Sequence, residues 1–152
     1  MRARSGNQRS MEQMSADEAQ VNVNLEGASA FMQLLGLHFT ETGPERVVGT
    51  FEVNEDHHQP WGLVHGGVFA AVIETVATTG AYQAVKEQGQ LAVGVNNVTD
   101  FMRPFQRGKL RVTAEPLHQT KTQQLWQAEI KREDGKTIAR GQVRLQNIEA
   151  GA

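Results

Sequence analysis

One stretch limits the fold more than any other: "HGGVFAAVIETVATTGAYQAV", His65 to Val85, which is apolar on almost every side and contains no turn signal. Strands usually run to roughly five or six residues, so a stretch this long predicts a helix. A helix oily all round must be enclosed, and the rest of the chain has to supply the enclosure. Strand-like segments lie on both sides of it. "LHFTET" and "RVVGTFEV" precede it and flank a Gly43-Pro44 turn. "LAVGVNNVTDFMRP", "GKLRVTAEPLHQT", "TQQLWQAEIKRED" and "KTIARGQVRLQNI" follow, each with period-two alternation, the last two joined at Asp134-Gly135. With a short helix over Gly27 to Gly36, the expected order is short helix, two strands, long helix, four strands. This is an α+β arrangement in which a curved antiparallel sheet wraps one central helix.

The short helix carries Phe31, Leu34 and Leu35, expected on one side, and ends at Gly36 as a flap over an apolar surface. Residues 1 to 26 are mostly polar and too poor in large apolar groups to offset the entropy of ordering, so a flexible tail is expected there, with one domain over 27–149. At 152 residues the chain has enough length for one real core. A formal charge of -2 gives no global field for nucleic acid, and no nucleic-acid partner is expected. The absence of cysteine removes disulfides, a thiolate nucleophile and cysteine-bound zinc, and fits a cytoplasmic protein. Arg2, Arg4 and Arg9 are followed by no apolar segment, and no eighteen consecutive apolar residues occur, so neither export nor membrane insertion is expected.

Inside the oily helix stands one acid, Glu74. A buried carboxylate without a partner costs several kcal/mol, so the group is expected either to find a partner or to line a site. Thr78 follows one turn later, within reach of the carboxylate or of a water beside it. Gly67, Ala70, Ala71, Glu74, Ala77, Thr78 and Ala81 make a stripe of small residues that either leaves room for a ligand or lets a second backbone approach. At the helix start, Gly66 and Gly67 expose amides to an acyl oxygen, as an oxyanion hole would, although paired glycines also ease a tight turn. Eight residues of helix separate Gly66 from Glu74 by about 12 Å. One carbonyl cannot be polarised at one end and attacked at the other across that gap, so a working site needs Gly66 of one chain to face Glu74 of another.

These residues resemble the hotdog-fold acyl-CoA thioesterases, in particular the 4-hydroxybenzoyl-CoA and phenylacetate-pathway types. The resemblance is carried by "HHQPWGLVHGGVFAAVIETVATTGA" and "AVGVNNVTDFMRPFQRG" and spans roughly residues 28 to 148. It implies an enzyme that splits acyl-CoA to carboxylate and free CoA, without metal or cofactor, in a homodimer paired into a tetramer. Gly66 would polarise the carbonyl. Glu74 would act as nucleophile or as general base on a water held by Thr78. Gln59 matches the family's side-chain amide near the thioester, His65 a hydrogen bond that fixes the loop, and Arg103, Lys121 and Thr122 contacts to CoA phosphates. Trp61, Phe69 and Tyr82 are compatible with an aryl pocket, and core packing explains the last two equally well. The chain departs from the family at Gln123-Gln124-Leu125, where relatives are more aromatic, and at "NIEAGA", where close relatives carry arginines. Three rivals share some of these features. A hotdog dehydratase or hydratase would need a catalytic His paired with an acid, and a non-catalytic acyl-CoA binding protein would need no acid at all. A metal at His57, His58 and His65 would need adjacent histidines to point the same way.

Overall fold

In the computed structural model, residues 28–151 are described, and the expected tail over 1–26 lies outside them. Helix α1, Ala30–Leu35, starts where the Ser29 side chain accepts from the Met32 amide and stops at Gly36, whose φ of 60° is left-handed. Strands β1, His38–Thr42, and β2, Val47–Val53, form the first hairpin. A 3-10 turn at Glu55–His57 leads to the long helix α2, Gly66–Val85. Strands β3, Gln90–Phe101, β4, Gly108–Gln119, β5, Gln123–Arg132, and β6, Thr137–Glu149, complete the chain. Every neighbouring pair is antiparallel, in the order β1-β2-β4-β5-β6-β3. The order and the element types agree with the sequence reading.

The sheet closes over one side of α2, which reaches all six strands. Phe69, Val72, Ile73, Val76, Ala77, Ala81 and Val85 meet Phe51, Leu110, Val112, Trp126, Ile130, Val143 and Leu145 in a single core. By length and mean hydropathy α2 would suffice to cross a membrane, yet its apolar side is occupied by this sheet. Gly80 is required within the core: a Cβ there would lie 2.3 Å from the Trp126 ring.

Two expectations need correction. The helix is not enclosed all round in one chain: Glu74 and Tyr82 are exposed on the side the sheet leaves open. Alanines and threonines on that side count as apolar in a sequence pattern without needing burial, which is why the pattern looked continuous. Hence Glu74 is not a buried acid within one chain, Tyr82 is not core, and the small-residue stripe divides, with Ala77 and Ala81 facing the sheet. In α1 only Leu35 is buried, with Met32 one turn earlier against the core, while Phe31 and Leu34 face outward. A six-residue helix can bury either of two apolar pairs, and the i, i+3 pair Met32 and Leu35 is the one that meets the sheet.

The two edges of the sheet differ. β1 is five residues long with an irregularity between Phe39 and Glu41. β3 is twelve residues long, has one side unpaired, and exposes Leu91, Val93, Val95, Val98 and Phe101.

Candidate active site

The start of α2 uses its free amides unequally. His65 caps the helix, its Nδ1 accepting from the Gly67 N–H at 2.9 Å, and its carbonyl accepts from the Val68 N–H at 2.9 Å. The Gly66 N–H is left without an acceptor among the described residues. It sits at the positive end of the helix dipole, in a cleft of about 200 Å³ lined by Gln59, Phe69, Phe101, Arg103 and Phe105, among others. A side chain at position 66 would push the exposed Phe101 ring aside, because a Cβ would come within 2.5 Å of it.

The approach loop is fixed by splayed histidines. His57, only 4% exposed, accepts from the Asn54 N–H at Nδ1 and donates from Nε2 to the Leu34 carbonyl, at 3.1 and 2.7 Å. His58 Nε2 donates to the Gln106 carbonyl at 2.6 Å. His57, His58 and His65 thus point to three different partners and do not converge on one centre. Gln59 follows them and lines the cleft, and its side-chain amide has no partner among the described residues. Arg103 lines the same cleft and donates to the Thr137 carbonyl. Trp61, 78% exposed, is not among the lining residues.

Glu74 stands two turns along α2, on the open side beside β3. Its Oε2 accepts from Asn97 Nδ2 at 3.3 Å, and Gly94 lies so close that a Cβ there would be 3.1 Å from Oε1. Thr78 makes no hydrogen bond to Glu74 among the described residues, and Thr75 and Thr79 donate back to the carbonyls of Ala71 and Thr75. Lys121 belongs to a different place: with Gln88 and Gln119 it lines a groove of about 450 Å³ beside Ala84 and Val85, at the opposite end of α2. Arg103 and Lys121 therefore border opposite ends of a helix about 30 Å long, and one chain does not bring them to a single nucleotide. Gln124, 1% exposed, also lies at that far end, donating to the Ala81 carbonyl and Asn147 Oδ1 and accepting from Trp126 Nε1 and Gln119 Nε2. This departure from the family pattern alters the core under the helix end and not the cleft at Gly66.

A further opening of about 460 Å³ lies on the outer face of the sheet, lined by Asp100, Glu115, Glu129 and Arg140 among others. Several of its groups are engaged already: Glu115 with Arg46, and Glu129 with Lys131 and the Thr137 hydroxyl. The Thr137 hydroxyl, followed by Lys131, holds the Glu129 carboxyl below its ordinary range of about 4.5. Arg132 does the same for Asp134 in the adjoining turn, by hydrogen bond and charge. Size alone would favour this opening, but no residue of α2 lines it and no helix N-terminus opens into it. The chemistry is better sought at the smaller cleft.

A family model described as the thioesterase superfamily matches residues 62–139, from the loop before α2 into β6. The chain belongs to that superfamily. It has the hotdog fold, and thioester hydrolysis is its general chemistry. A Mycobacterium tuberculosis protein named "Putative esterase Rv1847" is 46% identical over 118 residues, 76% of this chain and 84% of that one. Its solved structure aligns with a TM-score of 0.77 over 82% of this chain and all of that one. The proofreading thioesterase EntH of Cronobacter sakazakii is 31% identical over 75% of this chain and 82% of its own length. The thioesterase HI1161 of Haemophilus influenzae is 27% identical, with a TM-score of 0.78 over 86% of this chain and 91% of that one.

Sequence reasoning missed three features of this thioesterase. Asn97 holds Glu74, Phe101 covers Gly66, and His57 ties α1 to the Gln59 loop. Only Asn97 gave a signal, as a polar residue at an alternating position of a strand facing the helix.

Proposed function

We propose that this thioesterase hydrolyses an aryl- or acyl-CoA to the free carboxylate and CoA at two equivalent sites, each built from two chains. The observation that carries the reading is the distribution of roles along α2. The one uncommitted amide, of Gly66, and the one exposed acid, of Glu74, stand eight residues apart beside the long unpaired edge of β3. That edge exposes Leu91, Val93, Val95 and Val98, an apolar row of the kind a second copy covers. A two-fold axis beside it turns the second helix around, so that Gly66 of one chain and Glu74 of its partner face a common space.

In that space the Gly66 N–H donates to the thioester carbonyl oxygen and favours the negative charge that develops there. Glu74 of the partner then acts in one of two ways. As general base it takes a proton from water, whose oxygen adds to the carbonyl carbon while the C–S bond breaks and CoA leaves as thiolate. As nucleophile its oxygen attacks the carbon itself, the C–S bond breaks with CoA leaving as thiolate, and water hydrolyses the resulting mixed anhydride to free acid and carboxylate. Thr78 and Gln59 hold the water or the thioester, Gly67 and His65 shape the helix entrance, and Trp61 borders the approach. The CoA phosphates bind Arg103 of one chain with Lys121 and Thr122 of another, which the opposite placement of these groups along α2 favours. The dimers pair into tetramers, and the enzyme works in the cytoplasm. A dehydratase is less well supported, since His65 Nδ1 is already engaged by the Gly67 amide. A non-catalytic binding protein would gain nothing from an exposed acid beside an apolar row.

A mixed-dimer experiment tests the shared site. Glu74→Gln and Gly66→Pro chains should each be inactive in thiol release from a panel of aryl, short, medium and long acyl-CoAs. Proline at the first helical position removes the amide while suiting the helix. Their heterodimer should regain about one working site of two, since one site then carries both intact groups. Confirmed heterodimers that stay inactive would exclude a site divided between chains.

A further inference from the structure

Glu74 has one side-chain partner among the described residues, and that partner is itself fully engaged. Asn97 lies on β3 opposite Val143 of β6, with its side chain turned toward α2. Its Nδ2 donates to the Ala70 carbonyl at 3.0 Å and to Glu74 Oε2 at 3.3 Å. Ala70 and Glu74 are four residues apart on one face of the helix, so a single amide spans one turn and uses both of its protons. Its Oδ1 accepts from the Thr99 hydroxyl at 2.7 Å. This pattern fixes the amide orientation, because the carbonyl and the carboxylate accept only and must face the nitrogen.

Two glycines make room for the arrangement. Opposite Thr99 stands Gly141, where a Cβ would come within 2.6 Å of the Thr99 hydroxyl oxygen. At the irregularity of β3, Gly94 leaves space beside Oε1 that a Cβ at 3.1 Å would narrow. One carboxylate oxygen is therefore tied, and the other has no hydrogen-bond partner among the described residues.

We propose that Asn97, oriented by Thr99, is the positioning residue of the thioester site: it pins Oε2 of Glu74 and leaves Oε1, beside Gly94, as the oxygen that meets substrate or water. The inference rests on the reading of Glu74 given above. It concerns the aim of the acid and holds for either route of attack. A carboxylate free to rotate would present its oxygens in many directions, and only some lie within about 3 Å of a bound carbonyl or its water. Ordering Oε1 raises turnover without adding a contact to the acyl-CoA, so its loss should appear in kcat and hardly in KM.

The test uses the full chain in a thiol-release assay at neutral pH, with thermal melts as a folding control. Asn97→Asp keeps the shape and substitutes an acceptor for the donor. It should lower kcat by roughly ten- to a hundredfold, the loss of a hydrogen bond to a charged group, with KM within about threefold of the parent chain. Thr99→Val should lower kcat less, and Thr99→Ser, which restores the hydroxyl, should recover it. A packing role would be met by the isosteric Asn97→Asp, so a folded Asn97→Asp chain with kcat within about twofold of the parent would overturn the proposal. So would a change confined to KM. If Asn97→Asp fails to fold, the Thr99→Val and Thr99→Ser pair decides on the same criteria. Glu74→Gln is assayed alongside. An inactive Glu74→Gln with an unaffected Asn97→Asp removes this inference alone, whereas an active Glu74→Gln removes both readings.

Discussion

The two ends of α2 are built on opposite plans. At its start, His65 takes the amides of Gly67 and Val68 and leaves that of Gly66 unclaimed in a cleft bordered by exposed Phe101 and Arg103. Toward its far end, Gly80 lets the Trp126 ring press against the backbone, and all four hydrogen-bonding positions of Gln124 are filled. Both ends contain glycine and polar side chains, but in one place these close the structure and in the other they leave it open. Along α2 the polar groups at the far end satisfy one another, while at the start the Gly66 N–H and the Gln59 side chain have no partner among the described residues. Polarity alone does not distinguish a site from a core. The count of unfilled hydrogen-bonding positions does.

Substitutions on each side should separate activity from stability. Glu74→Ala is expected to lower kcat by about 10²- to 10⁴-fold, the usual scale for a general base, while leaving the melting temperature close to the parent value. A folded Glu74→Ala chain with ordinary turnover would collapse the distinction from the open side. Gly80→Ala should do the reverse. Its methyl group would overlap the Trp126 ring, costing about 1–3 kcal/mol by denaturant titration, with kcat nearly unchanged in the folded fraction. Were this chain as inactive as Glu74→Ala while still folded, the closed half would have to be counted as part of the site.

The smallest effect lies away from both ends. Glu129, whose carboxyl is depressed chiefly by the Thr137 hydroxyl, contributes stability that is present above its unfolded value near 4.5 and is lost as pH falls through its folded value. The group is more than a third exposed, so the contribution is modest. Thr137→Val should flatten the acid side of the stability profile below about pH 4.5 without changing turnover at neutral pH. An unaltered slope would remove Thr137 from the account.

The fold was legible because its signals are periodic. A long oily stretch and six alternating segments can be assembled in few ways, and the helix bounds and the Asp134-Gly135 turn lie where spacing put them. Side exposure was less legible. Alanine and threonine fit both a covered and an uncovered helix face, so Glu74 looked enclosed when one side of α2 is open. The same ambiguity placed Phe31 and Leu34 inward, when a six-residue helix buries Met32 and Leu35 instead. Gly66, Gln59 and Arg103 were singled out by motif, and the structure gathers them in one cleft. Lys121 was assigned with them, but it lies past the opposite tip of the helix because β4 and β5 turn there. Asn97 shows only as a polar residue at an alternating position, and its link to Thr99 and Glu74 was hidden for another reason: it depends on register, which pairs Asn97 with Val143 and Thr99 with Gly141.

The unequal margins of the sheet bear on how far assembly can proceed. β1 is short and irregular, whereas β3 is long and uninterrupted over most of its length. A protein with two good margins could add copies without limit and grow into a filament. With only one, the symmetric handshake proposed above would consume the long border, and growth by strand addition would stop at two.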